Sequence, residues 1–450
     1  MFHKVLIANR GEIAVRIIRA CRELGVATVA VFSEADRTAL HAQLADEAIC
    51  IGPANTADSY LNIKAILAAC EVTGADALHP GFGFLSENAA FARMCEKCGV
   101  AFIGPPVSSM EQMGDKSMAK ATMKAAGVPV VPGSDGEVPS LSDARRIAEE
   151  IGYPVMVKAS AGGGGRGIRR VDAPSQLEAA LTAAKEEALR FFGDDGVYIE
   201  KFIEDPRQVE IQILADSYGN VVSLGERDCS LQRRNQKLIE ECPCPIMTPS
   251  LRKAMGQAAV KAAVACGYRS AGTVEFLLEG KEFYFMEMNT RIQVEHPITE
   301  MVTGIDLVKT QIRIAAGEPL PFRQEDVKLT GHAIECRINA ENPAQNFRPC
   351  PGRISALHMP GGPGIRIDSA VYQGCEITPY YDSMIAKLIT YAPTREEALM
   401  KMKWALAEFI VEGVDTNIDF QLNLIKDADV EAGRYDIGFL SRRKDLFPKA

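Results

Sequence analysis

Hydrophobic and polar residues alternate along the first hundred or so residues in a way that predicts repeated strand–helix units. The short apolar runs "KVLIA" and "VATVAVFS" predict buried strands, and "GEIAVRIIRACRELG" between them has Ile13, Ile17 and Leu24 at helical spacing. The same order returns in "YLNIKAILAACEVTG" with "ADALHP", and in "NAAFARMCEKCG" with "VAFIGP". Repeated units of this kind predict a parallel sheet with right-handed crossovers. The first turn, "NRGE", lacks the G-x-G-x-x-G fingerprint of dinucleotide-binding proteins.

The pattern changes after this region. In "GDKSMAKATMKAAGVPVVPG" a helix is predicted from about Lys116 to Gly127, and a short helix follows in "SDARRIAEEIG". Strands and helices then mix to about residue 316. A further mixed segment runs from "GHAIECRINAE" to a closing amphipathic helix, "TREEALMKMKWALAEFIV". The predicted fold class is therefore α/β in the first part and α+β in the rest.

One strand carries an unusual polar face. The stretch "EFYFMEMNTRIQVEHP" (282–297) begins as a buried strand should, with apolar residues at 283–286. Five polar residues then alternate with apolar ones: Glu287, Asn289, Arg291, Gln293 and Glu295. Alternate residues of a strand share a face, so this strand is predicted to carry two acids, two amides and an arginine on one side.

A second acid is predicted to face this strand. The strands "GTVEFLL" and "EFYFMEMN" flank "EGK", which predicts a hairpin centred on Lys281. Glu275 and Glu287 are equally far from that centre, so their Cβ atoms should lie about 5 Å apart. Like charges at that distance favour a divalent cation between them, with Asn289 as a third oxygen ligand. The alternative is a charged face exposed to solvent.

A glycine run predicts a phosphate site. "VMVKASAGGGGRGIRRV" places glycines 162–165 between two apolar runs, which predicts strand–loop–strand. Backbone N–H groups without side chains can approach an anion closely, and Lys158 precedes the run. Walker A is absent, because no G-K-[ST] enters a helix. A surface hairpin is the alternative, but phosphate binding is favoured, and together with a magnesium site it predicts ATP.

Composition restricts the classes of function. The 450 residues suffice for two or three domains, and the net charge of −9 argues against a nucleic-acid partner bound through bulk electrostatics. No apolar run is long enough to span a bilayer, and the N-terminus lacks signal-peptide features, so we expect a cytoplasmic protein without membrane contact. The pairs Cys95/Cys98 and Cys242/Cys244 have metal or redox spacing, but free thiols are the favoured interpretation.

At this point the chain resembles a known family. "KASAGGGGRG", "ERDCSLQRRNQK", "GTVEF", "MEMNTRIQVEHPITE" and "ECRINAE" are similar to signature segments of the biotin carboxylases, members of the ATP-grasp superfamily. "MFHKVLIANRGEIAVRIIRA" and "HPGFGFLSEN" also resemble the N-terminal domain of that family. The resemblance covers essentially the whole chain. The length is similar to that of the free-standing subunit of bacterial-type acetyl-CoA carboxylase.

The resemblance implies three domains. Residues 1–114 would form a Rossmann-like N-terminal domain. Residues 115–317 would form an ATP-grasp core, with a mobile glycine-rich lid at about 131–203. Residues 318–450 would form a C-terminal mixed α/β domain.

The resemblance also implies roles for individual residues. ATP would be bound by Lys116, Lys158, Gly164, Gly165, Glu200, Lys201, Phe202, Ile203, Gln208, Asn235, Glu275 and Glu287. Magnesium or manganese would be bound by Glu275, Glu287 and Asn289, and bicarbonate by Lys237, Arg291 and Val294. Glu295 would be the general base, and Arg337 would face biotin. Gln208 and Asn235 replace histidines that are common in the family; both can form hydrogen bonds, but neither can carry a positive charge.

The implied reaction is carboxylation of biotin. Deprotonated bicarbonate would attack the γ-phosphate of ATP and give carboxyphosphate, whose breakdown yields CO2 and a phosphate that takes the ureido proton of biotin. The implied partners are a biotin carboxyl carrier protein, carboxyltransferase subunits and a second copy of the chain. The implied role is the first half-reaction of acetyl-CoA carboxylase in fatty-acid synthesis.

Several alternatives stay open. The chain could serve another acyl-CoA carboxylase or a pyruvate carboxylase, or be a different ATP-grasp ligase. A nucleotide-sensing protein and an NAD oxidoreductase are further alternatives, the latter weakened by the missing fingerprint. Arg291 and Glu295 could also be a purely structural ion pair, although in a strand they would lie about 13 Å apart.

Overall fold

The first segment is a parallel sheet covered by helices. The computed structural model describes residues 1–160 and 168–448. The five strands are β1 (Lys4–Ile7), β2 (Ala27–Ser33), β3 (Glu47–Gly52), β4 (Ala77–His79) and β5 (Ala101–Phe102). The helices are α1 (Gly11–Glu23), α2 (Leu40–Leu44), α3 (Ile63–Thr73), α4 (Ala89–Lys97) and α5 (Val107–Gly114). The order β3-β2-β1-β4-β5, with every pair parallel, confirms the prediction from the βαβ pattern.

Strand β3 escaped the sequence analysis. Its sequence, "EAICIG", lies at the sheet edge, and Glu47, Ala48 and Cys50 are exposed there. An edge strand that buries little apolar surface needs no apolar run, so the pattern that identified the central strands is missing.

The second segment begins with a small sheet. Its elements are α6 (Lys116–Ala125), α7 (Leu141–Ile151), β6 (Val155–Ala159), β7 (Ile168–Val171), α8 (Leu177–Phe192) and β8 (Val197–Lys201). Strand β6 pairs antiparallel with both β7 and β8. The pairing of Lys158 with Ile168 confirms that strands flank the glycine run. Gly164 and Gly165 themselves lie outside the described residues.

A larger antiparallel sheet forms the centre of the molecule. The second segment supplies β9 (Arg207–Ala215), β10 (Val221–Arg233), β11 (Gln236–Cys242), α9 (Pro249–Ala265), β12 (Ser270–Glu279), β13 (Glu282–Asn289), α10 (His296–Thr303) and α11 (Leu307–Ala315). A hydrophobic cluster fills the space between α1, β1 and α11, with Ile17, Val5 and Ile312 fully buried. The parallel sheet is therefore packed directly against the centre.

The last segment extends the same central sheet. Its strands are β14 (His332–Asn339), β15 (Glu341–Asn342), β16 (Arg348–Pro349), β17 (Gly352–Arg353), β18 (Ala356–His358), β19 (Ile365–Ser369), β20 (Glu376–Ile377), β21 (Met384–Ala392) and β22 (Ile410–Glu412). Its helices are α12 (Arg395–Glu408), α13 (Ile418–Ile425), α14 (Ala428–Glu431) and α15 (Phe439–Arg442). Strand β14 pairs with β11, which gives the order β13-β12-β9-β10-β11-β14-β21-β19. One continuous sheet thus joins the second and third segments.

Two details of the last segment differ from the prediction. The helix predicted to include "FIV" ends at Glu408, and Ile410–Glu412 pairs with Ala356–His358 as strands β22 and β18. The β-branched pair Ile410 and Val411 suits a strand better than a helix. Three short helices follow, so α12 does not close the chain.

The hairpin of β12 and β13 confirms the facing glutamates. Glu275 pairs with Glu287, as predicted. The turn lies between Gly280 and Lys281, however, and an irregularity after Glu275 shifts the register, because Phe276 pairs with Phe285. Met286 is the extra residue of this bulge and is 38% exposed, so its predicted burial is wrong.

The prediction of one long polar strand was also wrong beyond Asn289. Strand β13 ends there, and residues 290–295 form bends and turns before α10. Glu87 accepts hydrogen bonds from the backbone N–H of Thr290 and from Arg291, which stabilises the new chain direction. Residues 291–295 are therefore brought to the site by turns and not by strand alternation.

Two features have consequences for function. The twelve cysteines are free thiols, which confirms the favoured interpretation of their spacing. Within the described residues, no helix combines the length and apolar character needed to cross a bilayer.

We predict that the hairpin turn depends on its glycine. Gly280 has φ +62°, and a Cβ added there would meet no neighbour. Gly280→Val should therefore destabilise the protein through backbone strain alone, by roughly 1–2 kcal/mol. Gly280→Asn is the control, since asparagine tolerates this conformation better. Melting temperatures should fall in the order glycine, asparagine, valine; equal values for all three would contradict the turn geometry.

Candidate functional site

The predicted residues converge on one cavity of about 490 Å³. It lies where the ends of β11, β13 and β14 meet, beside the turns at 290–295. The predicted residues that line it are Gln208, Asn235, Lys237, Glu275, Glu287, Asn289, Arg291, Val294, Glu295 and Arg337. Strand pairing across the central sheet therefore brings together residues from both the second and third segments.

Lys237 is the centre of the polar contacts. Its Nζ lies 2.7 Å from Glu210 Oε2, 3.0 Å from Glu275 Oε1 and 2.7 Å from Glu295 Oε1. Burial disfavours the ammonium, but the nearby Cys229 thiol and these carboxylates raise the pKa of Lys237 well above its ordinary value. The lysine is therefore charged at any working pH.

Glu295 lies between two cations. Its Oε1 accepts from Lys237, and its Oε2 accepts from the Arg337 guanidinium at 3.0 Å. Burial alone would raise the pKa of Glu295, but Lys237, Arg337 and Arg227 outweigh it and hold that pKa well below its usual range. The carboxylate is thus ionised, and it is a weak base while both cations remain in contact.

Arg337 is held by two acids. Its Nε donates to Glu240 Oε1 at 2.6 Å, in addition to the contact with Glu295. Burial opposes the guanidinium charge, but Glu240, Glu295 and Glu335 raise the pKa of Arg337. It is a permanent cation at the wall of the cavity.

The facing glutamates differ in their surroundings. Glu275 accepts hydrogen bonds from Lys237, Asn289, Gln293 and Gln208. Burial raises the pKa of Glu275, but Lys237 more than compensates and lowers it. Glu287 forms no ion pair or side-chain hydrogen bond with any described residue. Desolvation by the cavity wall, followed by the charge of Glu275, raises its pKa.

This donor set fits a hard divalent cation. Two carboxylates and the Asn289 amide present oxygen ligands, and one of the carboxylates lacks a protein partner within the described chain. Glu210, Cys229 and Glu295 also bring ligand atoms within 4.8 Å of one another. There, however, the Lys237 ammonium already contacts both carboxylates, so that cluster has its cation.

Arg291 has partners other than the one proposed for a structural pair. Its Nε donates to Glu87 Oε2 at 2.8 Å, and its NH2 group donates to Asn289 Oδ1 at 3.0 Å. Among the described residues it makes no ion pair with Glu295. The sequence analysis included Glu87 in a family-like segment but assigned it no role.

The predicted nucleotide residues of the small sheet lie apart from the lining residues. Lys158 on β6 donates a short hydrogen bond to Glu200 on β8, and Phe202 stacks under Arg170. Ile203 is buried beside them, Lys201 ends β8, and Lys116 begins α6 as an exposed residue. Lys120, which the sequence analysis missed, lies 4.0 Å from Glu200 Oε2.

Arg227 is the most important residue that the sequence analysis missed. It is fully buried and donates hydrogen bonds to five side chains: Glu210, Gln212, Thr299, Thr273 and Gln293. It lies in the quoted segment "ERDCSLQRRNQK", but nothing in that segment distinguishes a buried arginine from an exposed one.

Comparisons with known proteins agree with this geometry. Family models match "Biotin carboxylase, N-terminal domain" over residues 1–110, "Carbamoyl-phosphate synthase L chain, ATP binding domain" over 115–323 and "Biotin carboxylase C-terminal domain" over 335–442. The chain is 58% identical to biotin carboxylase 1 of Bacillus subtilis, covering 98% of both chains. It is 57% identical to biotin carboxylase of Haemophilus influenzae, covering 98% of this chain and 99% of that one.

A solved structure is similar over the whole chain. It is the biotin carboxylase domain dimer of Hydrogenobacter thermophilus 2-oxoglutarate carboxylase, in complex with MgADP, ADP and bicarbonate. The TM-score is 0.90 at 52% identity, with 100% of this chain and 99% of that chain covered. These findings confirm the predicted fold class and enzyme class. The chain belongs to the biotin carboxylase family of ATP-grasp ligases, which use ATP and magnesium to carboxylate biotin.

Proposed function

We propose that the cavity residues carry out ATP-dependent carboxylation of biotin with bicarbonate, through carboxyphosphate, to give ADP, phosphate and carboxybiotin. One observation carries the assignment of residues. A carboxylate, Glu295, is held ionised by Lys237 and Arg337 next to a pair of facing carboxylates, Glu275 and Glu287. An anion site and a cation site therefore share one cavity.

The cation side would receive the metal-bound phosphates. Glu275, Glu287 and Asn289 would hold Mg2+ or Mn2+, which neutralises phosphate charge when bound. Occupying this position would relieve the repulsion between the two glutamates. It would also compete with Lys237 for Glu275 Oε1, which now accepts from that ammonium at 3.0 Å.

The rest of the nucleotide would extend over the small sheet. Lys116, Lys158, Gly164 and Gly165 would contact the phosphates, and residues 200–203 would run along the adenine. Lys158 is charge-paired with Glu200, so it would exchange that partner for phosphate. Gln208 and Asn235 line the cavity and offer neutral hydrogen bonds to the nucleotide.

The anion side would bind bicarbonate through Lys237, Arg291 and the Val294 backbone. The low pKa of Glu295 has a consequence here. A bound anion would draw charge from Lys237 and the neighbouring guanidinium, so the proton affinity of Glu295 would rise when its substrate arrives. Glu295 would then take the bicarbonate proton, and the freed oxygen would attack the γ-phosphorus as ADP departs.

Arg337 would serve the second step. Carboxyphosphate breaks into CO2 and phosphate, the phosphate takes the ureido proton, and the biotin nitrogen attacks CO2. Because Arg337 is permanently charged, it would stabilise the enolate-like biotin anion but would not accept its proton.

We further propose a cellular role. The chain would be the free-standing biotin carboxylase subunit of a cytoplasmic acetyl-CoA carboxylase, which supplies fatty-acid synthesis. It would work as a homodimer with a biotin carboxyl carrier protein and carboxyltransferase subunits. We propose the domain division 1–114, 115–317 with a lid at about 131–203, and 318–450. The similarity to a 2-oxoglutarate carboxylase domain favours, as a second candidate, service to an acceptor other than acetyl-CoA, such as another acyl-CoA or pyruvate.

The first prediction tests the reaction. The purified chain with MgATP should release phosphate only when bicarbonate is present, and free biotin should increase the release and yield carboxybiotin. Phosphate release and carboxybiotin are followed together. Phosphate release supported by a different carboxylate, with no effect of biotin, would favour another ATP-grasp ligase, and binding of ATP without release would favour a nucleotide sensor.

The second prediction concerns the facing glutamates. Glu287→Gln should weaken productive Mg-ATP binding, since an amide is a poorer ligand for magnesium than a carboxylate. The free protein should be slightly more stable, by roughly 0.5–1 kcal/mol, because one of two facing charges is removed. The test is turnover as a function of magnesium concentration, together with thermal melting. Glu282→Gln, on the same strand but outside the cavity lining, is the control. Unchanged turnover at limiting magnesium would remove the metal-site assignment.

The third prediction separates making carboxyphosphate from using it. Glu295→Gln should reduce bicarbonate-dependent ATP cleavage by at least roughly a hundredfold, as expected for loss of a general base. Arg337→Ala should spare much of that cleavage and reduce carboxybiotin formation by roughly 10²–10³-fold. Both products are measured for both variants. Equal loss of the two activities in Arg337→Ala, or full ATP cleavage in Glu295→Gln, would contradict the division of labour.

A further inference from the structure

The turn segment 290–295 carries two of the proposed bicarbonate residues but has no regular secondary structure to hold it. Three cations contact three consecutive residues of this segment. Arg227 donates to Gln293 Oε1 at 2.9 Å, Lys387 Nζ donates to the Val294 carbonyl at 2.9 Å, and Arg337 donates to Glu295 Oε2 at 3.0 Å. Two of these cations are explained above, and Lys387 is not.

Lys387 is an unusual residue for its position. It lies on β21 and is 0% exposed. Lysine is almost never fully buried unless it is paired, because removing an ammonium from water is costly. Its Nζ lies 3.0 Å from Glu12 Oε1 and 3.8 Å from Asp368 Oδ2.

The main charge partner comes from another part of the chain. Glu12 lies in the first turn of α1 and is 6% exposed. Lys387 is its ion-pair partner among the described residues. Asp368, in contrast, is held mainly by the Arg366 guanidinium at 2.7 Å. The Lys387–Glu12 pair therefore links the first segment to the central sheet at the back of the cavity.

Charge compensation alone does not explain this arrangement. A buried ion pair is often no more stabilising than apolar residues of similar volume, so stability gives weak reason for it. The third contact is more informative. It fixes the carbonyl of Val294, one residue before Glu295 and on the wall of the cavity. An apolar pair could fill the volume but could not hold a carbonyl.

We propose that Lys387 is a positioning residue for the bicarbonate site, which holds the Val294 backbone and is itself held by Glu12 from the first segment. This inference rests on the function proposed above. Lys387 touches neither substrate in this account. It acts by keeping the Val294 and Glu295 backbone at the distance from Lys237 and Arg291 that bicarbonate requires.

The test uses a pair of variants that differ at Lys387 alone. Glu12→Gln removes one charge and leaves the ammonium donor to Val294. Glu12→Gln/Lys387→Met removes both members of the pair, leaves no unpaired Glu12 carboxylate, and loses the donor. The measurements are KM for bicarbonate, KM for MgATP and the melting temperature of the full chain.

The expected result is a split between the two substrates. In the double variant, KM for bicarbonate should rise about tenfold, as for loss of a hydrogen bond from a charged donor, while KM for MgATP stays within about twofold. Glu12→Gln alone should keep the bicarbonate KM near that of the unaltered chain. A merely structural role would lower the melting temperature or reduce both activities together without this split.

Two results would overturn the proposal: an unchanged bicarbonate KM in the folded double variant, or an equal rise of both KM values. If the double variant does not fold, Glu12→Gln/Lys387→Gln replaces it, because the shorter amide fills the site with polar atoms but does not reach Val294. The same split is expected, and a normal bicarbonate KM counts against the proposal. Absence of bicarbonate-dependent ATP cleavage in the unaltered chain would instead refute the proposed function.

Discussion

The contact of the Lys237 ammonium with three carboxylates is the interaction on which the site depends. Glu210 lies on β9, Glu275 on β12 and Glu295 in the turn before α10, while Lys237 itself lies on β11. Without this cation, three buried carboxylates would lie close together with only Arg227 to offset them at Glu210. Removing one partner of a buried charge pair typically costs roughly 3–5 kcal/mol, so the lysine holds the elements together while it defines the electrostatics of the cavity.

The same cluster connects the two halves of the proposed chemistry. Lys237 contacts Glu275, on the side assigned to the metal, and Glu295, the carboxylate assigned as base. Under the proposed function, a metal ion at Glu275 would release the ammonium toward bicarbonate. The substrate anion would then raise the proton affinity of Glu295. A weak base in the free protein is therefore consistent with a base in the complex, because substrate changes its surroundings.

The sequence predicted those features that depend on local spacing. Glu275 and Glu287 face each other because hairpin spacing determines strand register, although a bulge at Met286 was needed to bring them opposite. The end of β13 at Asn289 was missed, because the contacts that stabilise the bend come from Glu87 and Arg227, which are distant in sequence. Charged residues in buried strands, such as Glu210, Arg227 and Glu240, do not follow the apolar pattern by which strands are recognised. The roles of Lys237 and Arg337 came from the family resemblance alone.

The central claim is that bicarbonate oxygen attacks ATP within this cavity. The most direct measurement uses bicarbonate labelled with 18O, together with MgATP and biotin, and determines the isotope content of the phosphate released. If carboxyphosphate forms, the attacking oxygen remains on phosphorus after CO2 leaves, so each phosphate should carry one oxygen from bicarbonate. Phosphate without label, formed while carboxybiotin accumulates, would contradict the account.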